Sequence, residues 1–206
     1  MATQVNVREI ILETLLLITR DGEYSHIALK NVLDKYQYLE KRERAFITRV
    51  VEGTLERQIE IDYIINQFSK VKVNKQKPVI RTILRSSVYQ LKYMDSVPDH
   101  AVCSEAVKLA VRKGFSGLKG YVNGVLRSVA RGLDTLDYPQ EGIEALSIQY
   151  SIPTWILRLW EKSYGEEVTR TMAADFLKEK QLFVKSKFQK TRRGEFDPGT
   201  SFFVVH

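Results

Sequence analysis

Ile83-Leu84-Arg85-Ser86-Ser87-Val88-Tyr89-Gln90-Leu91, then Val97-Pro98-Asp99-His100-Ala101, Ser104-Glu105-Ala106-Val107 and Gly120-Tyr121-Val122-Asn123-Gly124-Val125-Leu126-Arg127, decide the fold. Pro78 suits the first turn of a helix, where its missing N–H costs no hydrogen bond, and that helix is expected to run to about Met94. Asp99 is a plausible N-cap for the next, which ends at Lys113-Gly114. A third runs from about Leu118 to Arg131 and is closed by Gly132. Gly120 and Gly124 lie four apart on one helix, and Gly53 lies mid-helix at a cost of about 1 kcal/mol against alanine, so all three are expected to permit close helix approach. Asn123, inside an apolar helix, is expected to satisfy a buried backbone group. Arg85 and Glu105, each in an apolar stretch, are expected to form a buried pair, because a buried charge needs a partner.

Working upstream, the helical period continues. Val7, Ile10, Ile11, Thr14, Leu15 and Ile18 form one stripe that stops at Asp21-Gly22. Ser25 can cap a second helix carrying Ile27, Ala28, Val32 and Leu33. A long segment from about Leu39 to Phe68 is expected to bend near Gln58. No stretch before residue 135 alternates as a strand does, and short connections between such helices imply packed neighbours in a bundle. Downstream, residues 134–140 read as a linker, followed by helices around Thr154–Ser163 and Glu166–Lys180. Leu182 to Gln189 then alternates like a strand, and Phe202-Phe203-Val204-Val205 begins another. The expected organisation is all-α: a helical bundle over 1–135, a helical linker over 136–180, and over 181–206 the start of a truncated α+β domain. An unpaired apolar strand is an unusual ending, which motivates the expectation of truncation.

The composition narrows the class. A chain of 206 residues that is 44% hydrophobic can bury a core. Its single cysteine, Cys103, excludes an intramolecular disulfide framework and points to a reducing, cytoplasmic setting. The first residues lack the pattern of a secretory signal, and no apolar run approaches the ~20 residues that span a bilayer. The net charge of +7 is unevenly placed: residues 72–131 hold twelve Lys/Arg against three Asp/Glu, while both flanks are near neutral. A basic block inside a folded region suits a polyanion-binding face; a solvated face is the bland alternative.

The ordered set over 78–131, with Glu43-Arg44-Ala45-Phe46-Ile47-Thr48, Gly53-Thr54-Leu55 and Ile61-Asp62-Tyr63-Ile64-Ile65 upstream, resembles the NusB-like domain at the front of the RsmB/Sun family of ribosomal-RNA cytosine methyltransferases. Glu52-Gly53-Thr54-Leu55-Glu56 departs from it, since the family commonly shows Tyr-Gly-Thr-Leu-Arg, and any RNA contact from that turn loses a positive charge. Ser151-Ile152-Pro153-Thr154-Trp155 and the Tyr164-Gly165 break resemble the segment joining the two domains of such enzymes. The resemblance implies an RNA-binding and positioning module that docks small-subunit ribosomal RNA for 5-methylcytosine formation. The alternative is a NusB-type transcription antitermination factor that binds RNA with a ribosomal protein, and a third reading is an interaction domain whose basic face meets acidic protein. Oligomeric state stays open.

The residues expected to meet RNA are cations repeating along helix faces: Lys77 with Arg81, Lys108 with Arg112, and Arg127 with Arg131. Lys113 and Lys119 flank a glycine-rich loop, Gly114-Phe115-Ser116-Gly117, that can offer N–H groups to phosphate. Arg8 joins them by resemblance, because the first helix of NusB proteins takes part in RNA binding. Tyr89, Tyr93 and Tyr121 suit the core better than base stacking, with Phe115 the exception. No catalytic residue, metal site or cofactor site is expected. The family's two catalytic cysteines and its glycine-rich S-adenosylmethionine element have no counterpart, so S-adenosylmethionine is expected only in the missing domain, and this chain alone is expected to catalyse nothing.

Overall fold

The computed structural model describes residues 6–176, together with the backbone of 183–185 and 202–204. Seven helices form the bundle: α1 (Val7–Thr19), α2 (Ser25–Lys35), α3 (Lys41–Glu56), α4 (Gln58–Phe68), α5 (Pro78–Tyr93), α6 (Asp99–Arg112) and α7 (Lys119–Gly132). Three more follow: α8 (Gly142–Tyr150), α9 (Thr154–Tyr164) and α10 (Glu166–Phe176). Strands β1 (Phe183–Lys185) and β2 (Phe202–Val204) pair antiparallel, with Val184 opposite Phe203. The rest of the expected strand-containing region, and the expected end of α10 at Lys180, lie outside the described residues.

Helix α5 is the axis of the bundle and packs against α1, α3, α4, α6 and α7. It is buried nearly all round, which asks each of its polar residues to find an internal partner. Thr82 Oγ1 donates to the Pro78 carbonyl at 2.9 Å, and Gln90 Nε2 to the Ser86 carbonyl at 2.9 Å. Arg85 pairs with Asp62 of α4, not with Glu105: Nε reaches Oδ1 at 2.7 Å and Nη2 reaches Oδ2 at 2.6 Å. The burial was legible in the sequence; the partner was set by how α4 crosses α5.

The long segment from Leu39 to Phe68 is two helices, broken at Arg57 (φ −100°, ψ 17°) beside the expected bend at Gln58. Ser25 and Asp99 are first helical residues rather than caps, because Tyr24 and Pro98 hold the extended backbone ahead of them. Gly53 does permit close approach: a Cβ there would lie 2.1 Å from Tyr89 Cζ. Gly120 and Gly124 do not, since a Cβ at either would meet nothing within 4 Å. Their helix face is bare backbone.

Residues 136–176 pack on the bundle through α8 and α4. A second apolar cluster, Leu146, Ile152, Leu157 and Ala173, holds α8, α9 and α10 together. Polar contacts tie this unit down as well. Tyr63 donates to the Asp137 carbonyl at 2.7 Å, and Glu60 N donates to Ser151 Oγ at 3.2 Å. The buried Glu60 carboxylate meets Lys92 Nζ at 2.5 Å and the Tyr93 hydroxyl, while Lys92 also donates to Tyr138 at 2.6 Å. Burial and the bond to Glu60 push the Tyr93 phenol well up. Burial alone lowers Lys92, yet its bonds to Glu60 and Tyr138 outweigh that and leave the ammonium favoured. Lys92, Arg57 and the Tyr93 hydroxyl surround the Glu60 side chain, so its oxygens keep polar partners at this depth.

Candidate nucleic-acid interface

Helices α6 and α7 pack side by side, joined by residues 113–118, and leave a groove of about 770 Å³ along their outer faces. Its rims carry Lys108, Lys119, Arg127 and Arg131, against one carboxylate, Asp99. All four cations are exposed. Helical spacing explains the arrangement. Arg127 and Arg131 are i and i+4, as are Gly120 and Gly124, so the cations continue a face that begins with bare backbone. Arg127 Nε donates to Asn123 Oδ1 at 3.2 Å, and Arg131 Nε donates to the Arg127 carbonyl at 3.2 Å. Asn123 thus orients a groove arginine, and does not satisfy a buried backbone group.

The other five expected residues are placed differently. Arg112 and Lys113, at the end of α6, are held by α1: Arg112 Nη1 meets Glu9 Oε2 at 3.0 Å, and Lys113 Nζ meets Glu9 Oε1 at 2.6 Å and Glu13 Oε1 at 2.5 Å. The hydrogen bond from Lys113 is the main reason the Glu9 carboxyl sits below its ordinary range, and the bond that Lys113 donates to Glu13 raises Lys113 in turn. Lys77 and Arg81 occupy the start of α5, with Lys77 Nζ 5.8 Å from the Phe115 ring centroid. Arg8 is half-buried over the Phe46 ring at 5.4 Å, and desolvation lowers its pKa against a weaker raising effect of Glu105. It lines a second groove, of about 690 Å³, between α1, α3 and the start of α6.

That second groove also carries Arg42 and Arg49, which sequence reasoning missed. The signal was available, because the two lie seven apart on α3 and so share a face. It was hidden because the first 71 residues are nearly charge-balanced, and Glu40 and Glu43 line the same groove beside these arginines.

The four aromatic residues weighed for base stacking provide no exposed platform. Tyr89 is buried against Gly53, Tyr93 bonds Glu60, and the Tyr121 hydroxyl contacts Ser69 Oγ at 2.6 Å and accepts from Gln76 at 2.9 Å. Phe115, expected to be the exception, packs partly buried against the main core. The N–H groups of Gly114 and Phe115 are used internally, donating to the Val111 and Ala110 carbonyls, so the loop offers phosphate fewer donors than expected. Cys103 lies buried under the groove, and burial together with Asp99 pushes its thiol pKa up, away from the reactive thiolate. The groove can bind anions along a bare helix face. It shows no arrangement for nucleophilic chemistry.

The pattern of the NusB family matches residues 5–131. Among curated proteins, the probable ribosomal RNA small subunit methyltransferase B of Bacillus subtilis is 36% identical over 165 residues, which are 80% of this chain and 36% of the relative. The Synechocystis protein of the same name is 34% identical over 195 residues, 93% of this chain and 43% of the relative. The chain therefore spans about two-fifths of the length of these curated relatives. Among solved structures, T. maritima NusB superposes with a TM-score of 0.55 at 25% identity, over 63% of this chain and 93% of that one. The crystal structure of PH0851 superposes with a TM-score of 0.68 at 17% identity, over 92% of this chain and 43% of that one, a likeness of fold. No helix among the described residues is long and apolar enough to cross a membrane. A family pattern that covers more than half of the sequence, laid over a helical bundle matched by a NusB structure, settles the assignment: this chain belongs to the NusB family.

Proposed function

We propose that this chain is an RNA-binding and positioning module of the kind that fronts small-subunit ribosomal-RNA cytosine methyltransferases. The observation that carries the reading is the α6–α7 groove, where Lys108, Lys119, Arg127 and Arg131 line a helix face kept bare by Gly120. Cations at helical spacing beside exposed backbone let a sugar-phosphate chain approach closely. Each neutralised phosphate adds a salt-dependent contribution to affinity and little to sequence choice.

The methyltransferase setting is supported by the alignment of 195 residues to a relative of that name, which runs through α8, α9 and α10. The antitermination setting has less support, since the NusB and NusE complex with dsRNA superposes on only 61% of this chain, at 22% identity. On this reading the chain supplies binding, and methyl transfer belongs to a domain outside it. A buried, protonated Cys103 and the lack of a glycine-rich strand-turn-helix element in the sequence support that division.

The test is a fluorescence titration against a small-subunit ribosomal-RNA hairpin and a scrambled control at two salt concentrations. Preferential, salt-sensitive binding to the hairpin supports the module. Equal binding to both RNAs reduces the groove to a general polyanion surface, and absence of binding removes the reading.

A further inference from the structure

We infer that Glu9 and Glu13 are specificity-determining residues of the RNA face, internal competitors that hold Arg112 and Lys113 back from phosphate. The inference rests on the proposed RNA-binding reading and concerns the regulation of the same face. Arg112 is the i+4 neighbour of the groove residue Lys108, so it extends the cationic row along α6. Lys113 follows it directly. Both are drawn to α1, by Glu9 at 3.0 Å and 2.6 Å and, for Lys113, by Glu13 at 2.5 Å.

These pairs are not buried necessities. The Glu13 side chain is 53% exposed and Arg112 48%, against 32% for Glu9 and 23% for Lys113, so each pair keeps access to solvent and contributes modestly to folding. A phosphodiester strand following α6 past Lys108 meets two cations that are already neutralised, with two carboxylates beside them. It must displace the carboxylates or be repelled by them. An RNA whose path places phosphates at the end of α6 can exchange partners with Arg112 and Lys113. An RNA that merely lies on the basic face gains nothing from them. The arrangement lowers indiscriminate binding without removing the cations, and opposing charge used in this way is a recognised source of selectivity.

The experiment compares the unsubstituted protein with Glu9→Gln/Glu13→Gln, titrating a scrambled single-stranded RNA over a range of salt. Glu141→Gln/Glu167→Gln serves as a charge-matched control at exposed positions elsewhere. The expected result is severalfold tighter binding by Glu9→Gln/Glu13→Gln. Its log–log salt slope should steepen by about 1.4, the contribution of two further phosphate contacts on a single strand. Adding Arg112→Gln/Lys113→Gln should abolish the gain, while the control leaves the slope unchanged. A thermal melt confirms that each variant is folded. Measurable binding by the unsubstituted protein with no change in the glutamine variant, or an equal change in the control, overturns the inference and leaves the RNA-binding reading standing. No binding of the scrambled RNA by any variant overturns the inference, and no binding of the ribosomal-RNA hairpin either overturns both.

Discussion

Asp62 of α4 receives Arg85 of α5 through two parallel hydrogen bonds, and the arginine side chain is only 10% exposed. This fork joins two helices at the centre of the bundle, below the surface an RNA could reach. Arg85→Met leaves Asp62 without its partner and should cost about 2–4 kcal/mol, because an uncompensated charge at a partly buried site is destabilising. Urea denaturation measures it, and RNA affinity per folded molecule should be unchanged. Preserved stability with lost affinity would make Arg85 a contact residue.

Two kinds of glycine should respond oppositely to alanine. Gly53→Ala drives a methyl into the Tyr89 ring across the α3–α5 contact and should cost about 1–3 kcal/mol. Gly120→Ala and Gly124→Ala face open space at helical positions and should each stabilise by up to about 1 kcal/mol. Thermal melts of the three variants separate the classes. A destabilised Gly120→Ala would show that α7 is packed there.

The α1–α6 ion pairs should loosen in acid. The folded Glu9 carboxyl lies below its ordinary value of 4.5, chiefly through its hydrogen bond from Lys113, so its contribution is present in full above about pH 4.5. It is lost as pH falls through the lower, folded value, where both states bind the proton. The melting temperatures of native protein and Glu9→Gln should differ slightly at neutral pH and converge in acid, once pH falls below the lowered folded value. A gap that widens in acid would contradict this sign.

Calorimetric titration with S-adenosylmethionine should show no binding to this chain. Micromolar affinity would place a cofactor site within it and overturn the division between binding and chemistry.

Much of the bundle was legible in local sequence. Pro78 marked the start of α5, Gly132 the end of α7, and Gly53 the close helix contact, because each reports on its own backbone. The candidate site was harder to read. Lys108 and Arg112 share a helical face, yet one lines the groove and the other is taken by Glu9, 103 residues away in sequence. Asp62, 23 residues from Arg85, displaced Glu105 as its partner for the same reason. Long-range pairings follow from how helices cross, and periodicity within one helix does not encode them. Arg42 and Arg49 went unseen because their segment is charge-balanced, and their grouping with Arg8 in one groove follows only from how α1 packs on α3.

The most direct measurement is the salt dependence of RNA affinity for the native protein and for Lys108→Gln/Lys119→Gln/Arg127→Gln/Arg131→Gln, with a melt confirming that both are folded. If the α6–α7 groove tracks the RNA backbone, the substituted protein binds more weakly and its slope is shallower by about 2.8, four lost phosphate contacts on a single strand. An unchanged slope and affinity would place the RNA elsewhere and contradict the account.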